Sequence, residues 1–328
     1  MMKKLYMLLL LSCFVACDKI EPIKEVKINN YWMKFFLLSE YDKNKDGKLS
    51  EEEALDVTII SVTCSEDPID GLENFPNLEK LYVQSGKFTT LDVSQNKKLK
   101  ALYCSTCDRL TSLDLSNNPE LEVLECYMSN ISSLNLENNP NLIEVRCEYN
   151  KLTSLDLVNC PNLIKLNCSY NHLTFLNLNS CYSLESLACS QNLLTEINIT
   201  NNPNLEWLFC TNNKVETLDV TKNQKLKYFT CFGNILLTSL DVSQNAELIE
   251  FDCAGNILIT HLDVSNNPKL ENLNCSSMKN ITTLDVSHNL NLKELHCHFN
   301  DNLYTLYLKT GQTLQRMNKD DHTTIVYL

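Results

Sequence analysis
One sentence is repeated twelve times in this chain. A leucine opens each copy, at Leu78, Leu99, Leu121, Leu142, Leu163, Leu184, Leu205, Leu226, Leu248, Leu270, Leu292 and Leu314, and a weaker copy starts earlier at Ile59. Most copies read L-x-x-L-x-C-x-x-N-x-L-x-x-L-D-L-S-x-N-P-x over 21 or 22 residues. A period this regular admits few folds. Each copy carries an apolar side that it cannot cover alone, so the copies must stack and share one continuous core. The 328 residues would otherwise suggest two or three domains, but a stack grows in one dimension without needing a second core.

Each copy divides into two halves of the form L-x-x-L-x-L-x-x-N. In the copy opening at Leu142, the first half runs through Val145, Cys147 and Asn150. The second runs through Leu152, Leu155 and Leu157 and ends at Cys160, where the asparagine would stand. Two short parallel strands per coil are expected, one on each side of a flattened solenoid. Asn118-Pro119, Asn139-Pro140 and Asn202-Pro203 mark the turns after the second strand. At about 4.8 Å per coil the stack is roughly 55 Å long.

The wording is similar to that of leucine-rich repeat proteins of bacterial surfaces, including the internalins, over about residues 55–328. The segment Gly71 to Leu78 resembles an opening coil of that group, and Leu306 to Leu328 resembles its closing cap. Cysteine stands where internalins mostly carry leucine. The resemblance implies a mainly β leucine-rich repeat solenoid of about twelve coils, with a role in adhesion or host-protein contact.

Sixteen cysteines would ordinarily suggest disulfides in an exported chain. The repeat argues otherwise. Cys64, Cys104, Cys126, Cys147, Cys168, Cys189, Cys210, Cys231, Cys253, Cys275 and Cys297 hold one inward position, while Cys107, Cys160 and Cys181 hold asparagine positions. Neighbouring rungs about 4.8 Å apart exceed the usual Cβ separation of a disulfide, about 3.8 Å. Reduced, buried thiols are expected, with Cys160 and Cys181 the pair to watch.

The ends carry different signals. Lys3 and Lys4 precede an apolar run, Leu5 to Ala16, that is too short to span a bilayer and reads as a secretory signal. Phe14-Val15-Ala16-Cys17 resembles the lipobox of bacterial lipoproteins, which implies cleavage before Cys17 and lipidation of its thiol. Cleavage takes the net charge from −13 to −15, which argues against a nucleic-acid partner. The expected organisation is a signal peptide (1–16), a lipidated tether with a helix-loop-helix (17–57), the solenoid (58–311) and a C-terminal cap (312–328).

Residues 42–53 resemble an EF-hand calcium loop. Asp42, Asn44 and Asp46 supply side-chain oxygens, Gly47 the sharp turn, Lys48 a backbone carbonyl, Ser50 a ligand often acting through water, and Glu53 a bidentate carboxylate. Tyr31, Trp32, Phe35, Phe36 and Leu38 recur at helical spacing before the loop, and Glu51 to Val57 could form a short exiting helix. A lone loop must lean on a neighbour, and the first coil is the obvious one. A single structural calcium ion is expected.

The two faces differ in variety. The second half repeats Asp then Ser, at Asp92/Ser94, Asp114/Ser116, Asp241/Ser243, Asp263/Ser265 and Asp285/Ser287, a uniformity that suggests hydrogen bonding to the turns. The outward residues of the first half vary and include Tyr103, Tyr127, Arg146, Glu148, His296 and His298. Stacking places Trp207 beside Tyr228, with Phe209 close and Phe232 further along the same face. Exposed aromatics gathered on one surface mark binding sites for proteins or sugars. No triad spacing, phosphate loop or metal-binding helix stands out, so an enzyme is not expected. The sequence reads as a lipid-anchored cell-surface binding or adhesion protein with a protein or glycan partner. A structural envelope protein and an accessory module of a surface enzyme system are the alternatives.

Overall fold
The computed structural model describes residues 24–63 and 68–328. The signal peptide, Cys17 and Cys64 lie outside the described residues. Thirteen strands form one parallel sheet, from Ile59–Thr63 at one end to Arg316–Lys319 at the other. Each strand pairs with its neighbour one coil away, in a register that matches the sequence repeat: Lys80 faces Ala101, Glu144 faces Lys165, and Trp207 faces Tyr228. The chain is a leucine-rich repeat solenoid, mainly β. One expected detail shifts. Ile59 pairs with Lys80, which sets Val57 opposite the opener Leu78. Val57 is buried whereas Ile59 is 39% exposed, so the weak first copy opens two residues earlier than its wording suggests.

From Leu78 to Leu308 the inward positions of the repeat are buried. In one coil these are Leu142, Val145, Cys147, Leu152, Leu155 and Leu157, all buried. Burying each large apolar side chain contributes roughly 1.5–3 kcal/mol, and only the adjoining coils make that burial possible. The ladder cysteines from Cys104 to Cys297 are buried, and the thirteen described cysteines are free thiols. Burial pushes Cys160 up to about 11 and Cys181 and Cys297 up to about 12, so the reactive thiolate is scarce at neutral pH. Val83 takes the ladder position in the coil before Cys104, equally buried.

Most first-half strands end the same way among the described residues. The residue before the asparagine position turns left-handed, with φ between 52° and 59° at Ser85, Thr106, Met128, Tyr149, Tyr170, Gln191, Asn212, Ser277 and Phe299. Side chains rarely adopt this conformation. Its cost is offset by a bond to the next coil: Met128 N–H donates to the Glu148 carbonyl at 2.9 Å and Tyr149 N–H to the Ser169 carbonyl at 3.0 Å. The asparagine that follows then satisfies the corner. Asn171 Nδ2 donates to the carbonyls of Cys147 and Cys168, and its Oδ1 accepts from Leu152 N–H.

The second face departs from the expectation of a strand in every coil. Regular pairing occurs among the described residues only between Leu134–Asn135 and Leu155–Asp156, and among Thr283–Asp285, Thr305–Leu308 and Thr324–Tyr327. The Asp-x-Ser wording serves the turns there. Asp92, Asp114, Asp241, Asp263 and Asp285 each accept the N–H of the residue two ahead, at 2.8–3.0 Å. The same bond stands at Asn135, Asp156 and Asp285 within the paired segments, so it shapes the turn without excluding a strand. Where Tyr307 replaces the acid, a four-residue strand forms. The turn is then bridged by asparagines: Asn118 Nδ2 donates to the carbonyls of Val93 and Asn96, and Asn139 repeats this on Leu115 and Asn118.

Residues 312–328 form a last coil, with one strand on each face. At the front, α1 (Tyr31–Tyr41) is capped by Asn30, and α2 (Glu51–Ala54) by Ser50. The second helix is shorter than the expected Glu51 to Val57, because Val57 is drawn into the first coil.

Two predictions follow from these ladders. Hydrogen bonds from the residue two ahead hold the Asp92, Asp114, Asp219, Asp241 and Asp263 carboxyls below the usual carboxylate range. The backbone N–H is the larger cause at Asp92, Asp114 and Asp263, and the hydroxyl at Asp219 and Asp241. A lowered folded pKa contributes stability above the unfolded value of about 3.9, and that stability is lost as pH falls through the folded value. Asn135, Asn177 and Asn198 make the same bond without a charge. Replacing all five aspartates by asparagine is expected to change stability at pH 7 by less than about 1 kcal/mol per site and to flatten its decline between about pH 5 and 2, read by urea unfolding across pH. For the thiols, Cys189→Val is expected to cost under about 1.5 kcal/mol, following Val83, and Cys189→Ser about 1–3 kcal/mol. The native ladder should resist alkylation that the unfolded chain undergoes without reductant.

Candidate functional site
The outward residues of the thirteen-stranded sheet form one continuous face, two side chains per strand and one coil per step. Trp207 and Tyr228 are register partners, and their rings stack with centroids 5.8 Å apart and planes 3° from parallel. Phe209 stands two residues along the same strand, between Ala188 and Thr230, and is 36% exposed. These three side chains make an aromatic ridge. Phe232 falls apart from them. It lies past the end of its strand, with its ring against the next coil, 3.3 Å from where a Cβ on Gly255 would be. Gly255 has φ 70°, so both the turn and the ring favour glycine there.

A hollow flanks the ridge on each side. Towards the front, a cavity of about 410 Å³ is lined by Glu144, Arg146, Lys165, Asn167, Ser186, Ala188 and Phe209, where small side chains lower the floor. Its charges are internally paired. Arg146 donates to Glu148 at 2.7 Å, lies 3.9 Å from Glu125, and sits 4.7 Å over the Tyr127 ring. Towards the rear, a cavity of about 280 Å³ is lined by Thr230, Glu250, Asp252, Asn274, Glu294 and His296. Burial raises the Asp252 carboxyl, opposed by bonds from Ala254 N–H and Asn274. His296 contacts Asn318 through Nδ1 at 3.0 Å and Glu294 through Nε2 at 3.6 Å. The Nδ1 atom is thus held by Asn318, with Glu294 near the other ring nitrogen.

One aromatic pair escaped the sequence reading. Tyr149 and Tyr170 stack at 4.2 Å with planes 9° apart, each about half exposed, at the left-handed corner position. Their shared place just before the asparagine of consecutive coils was the available signal. Tyr82 and Tyr103 stack likewise at 4.5 Å near the front.

Residues 42–53 form a tight loop closed by its own side chains. Lys45 and Gly47 are left-handed, at φ 60° and 78°. Asp42 accepts from Asp46 N–H and Gly47 N–H, and Asn44 and Asp46 each accept the N–H two residues on. The loop leans chiefly on the chain's own leading segment: Glu25 pairs antiparallel with Ser50, and Val26 N–H donates to the Leu49 carbonyl at 2.9 Å. The first coil adds a bond from the Tyr41 hydroxyl to the Ile59 carbonyl. The donors are all oxygen, as calcium requires. Glu53, however, is folded inward. Its carboxylate accepts from Ser50 N–H and Oγ–H at 2.9 and 2.8 Å and from Lys43 N–H at 2.9 Å, and the Ser50 bonds hold it below the ordinary range. Among the described residues no three acidic, histidine or cysteine side chains converge to hold a metal ion. Nor is any helix long and apolar enough to cross a membrane.

No protein-family model matches the sequence, and no curated protein matches it either. Solved structures do. The functional domain of InlJ from Listeria monocytogenes, described as including a cysteine ladder, is 27% identical with a TM-score of 0.72, covering 94% of this chain and 74% of that one. The internalin InlF of the same organism is 20% identical with a TM-score of 0.71, covering 90% and 94%. A leucine-rich repeat protein of Leptospira interrogans is 17% identical with a TM-score of 0.52, covering 84% and 97%. The fold is therefore that of the internalin-like leucine-rich repeat proteins.

Proposed function
We propose that this chain is a lipid-anchored binding scaffold, displayed outside the cell, that holds a protein partner on its variable sheet face. The observation that carries this reading is the Trp207–Tyr228 stack, with Phe209 beside it and a hollow on either side. Rigid aromatic side chains on a preformed backbone lose little conformational freedom when a partner docks, and aromatic anchors beside pockets carry much of the energy in protein interfaces. The internalin-like fold favours the same kind of role. Cys17 is proposed as the acylated residue. A glycan packing against the same rings is the second reading, favoured by the partly exposed Phe209 ring beside the stacked pair.

The loop at 42–53 is proposed to hold one calcium ion through Asp42, Asn44, Asp46, the Lys48 carbonyl, Ser50 and Glu53. The ion would tie α1 to α2 at the front of the stack. Binding needs Glu53 to leave its present partners, and Lys43 and Lys45 oppose it electrostatically, so affinity is expected in the weak extracellular range of about 10⁻⁴–10⁻³ M.

Two experiments test these assignments. In a pull-down from host proteins and glycans, Trp207→Ala/Tyr228→Ala should recover at least about tenfold less of the partner than wild type, the loss of more than 1.4 kcal/mol expected for two anchors. Equal recovery removes the ridge as the site. Millimolar calcium should raise the melting temperature of the wild type and leave that of Asp46→Ala unchanged; equal shifts in both exclude the loop.

A further inference from the structure
The most anomalous surface on the molecule is at its front, away from the ridge. Helix α1 is apolar on nearly all sides. Met33 and Leu37 are buried against the first coil, and Phe36 and Leu38 pack partly on it. Tyr31, Trp32 and Phe35 face outward instead, 65%, 53% and 62% exposed. Tyr31 and Trp32 touch edge to face at 5.4 Å. A helix apolar all round normally has cover on every side, and here one side has none within the described chain.

We propose that α1 is a bilayer-docking element that seats Tyr31, Trp32 and Phe35 in the headgroup–acyl boundary of an anionic leaflet. Tyrosine and tryptophan concentrate at that boundary, where an apolar ring and a polar tip are both satisfied. Eleven residues are too few to span the bilayer, so the helix lies on it. Lys34 stands between Tyr31 and Phe35 on the same helical face. Residues 24–48 carry six lysines against four carboxylates; Lys34 and Lys48 lie 3.8 and 3.9 Å from Glu25 and Lys43 2.6 Å from Asp56, which leaves Lys24, Lys27 and Lys45 to meet an anionic surface that the rest of the solenoid would avoid. The acidic residues of α2 follow at 51–53, with Glu53 turned inward. Tyr31 follows Cys17 by 14 residues, at most about 50 Å of extended chain, so an anchor at Cys17 keeps α1 within reach of the membrane. This inference extends the proposed lipid anchoring, and its test is arranged to be independent of it. Docking at the front end would set the stack's orientation and determine how the ridge is presented.

The test uses residues 18–328, which keep every described residue and lack both the apolar run and Cys17. Trp32 and Trp207 are the chain's two tryptophans, so Trp207→Phe leaves Trp32 as the sole indole. Mixing that variant with vesicles of phosphatidylcholine and phosphatidylglycerol should shift its emission to shorter wavelength and carry the protein into the vesicle pellet. Raised salt or Lys34→Glu should weaken binding severalfold. Tyr31→Ser/Trp32→Ser/Phe35→Ser should weaken it at least tenfold while leaving circular dichroism unchanged. Absence of binding to these vesicles overturns the proposal. So does a concentration-dependent dimer, or capture of a soluble protein, that depends on the three rings while vesicles fail to bind. Failure of acylation at Cys17 in cells would refute the anchor without touching this result.

Discussion
A coil of 21 or 22 residues has no interior until another coil lies beside it. The constraint that governs this molecule is therefore the in-register contact between neighbouring coils, about 4.8 Å apart, which places each side chain next to its own equivalent. Leucine meets leucine, sulfur meets sulfur, and asparagine caps the carbonyls of the coil before it. Backbone ladder, apolar core and corner bonds all depend on that one lateral spacing. The terminal coils lack a neighbour on one side, and the chain meets this with a helical front and a strand-forming tail.

The same contact explains why the faces differ. Inward positions have their chemistry set by stacking, so they repeat. The Asp-x-Ser side uses its acids to satisfy its own turns, and regular strand is short there. The first-half face keeps a full backbone ladder whose pairing does not depend on its outward side chains, although Asn167, Asp252 and Asn274 each accept a backbone N–H two residues on. Those positions can vary, and the aromatic ridge and its two hollows arise there. The left-handed corners add a further row of exposed positions, held by bonds to the next coil whatever their side chains.

Much of this was legible in the sequence because it was written many times. The opener leucines, the ladder cysteines and the corner asparagines recur at one spacing, so their burial and neighbours could be read by analogy from coil to coil. The Trp207–Tyr228 pairing was legible for the same reason. Features that occur once were harder to read. Val57 rather than Ile59 opens the first coil because the leading copy lacks the usual wording. Glu53 has the sequence of a calcium ligand and the geometry of a helix cap, two roles that share one residue type at one spacing. Phe232 shares a face with the ridge by count, yet the strand ends before it, so its ring turns to the next coil.

The sequence by itself determined the solenoid, its coil length, which residues are buried and that the thiols lie in a row. A repeat period fixes neighbours without knowledge of any angle. Tertiary structure alone decided that the second face is mostly turn, that the ridge lies between two hollows of different charge, and that three aromatic rings on α1 are left uncovered by the described residues. Those outcomes depend on competition between hydrogen-bond partners and on which surfaces meet. Neither is encoded in spacing.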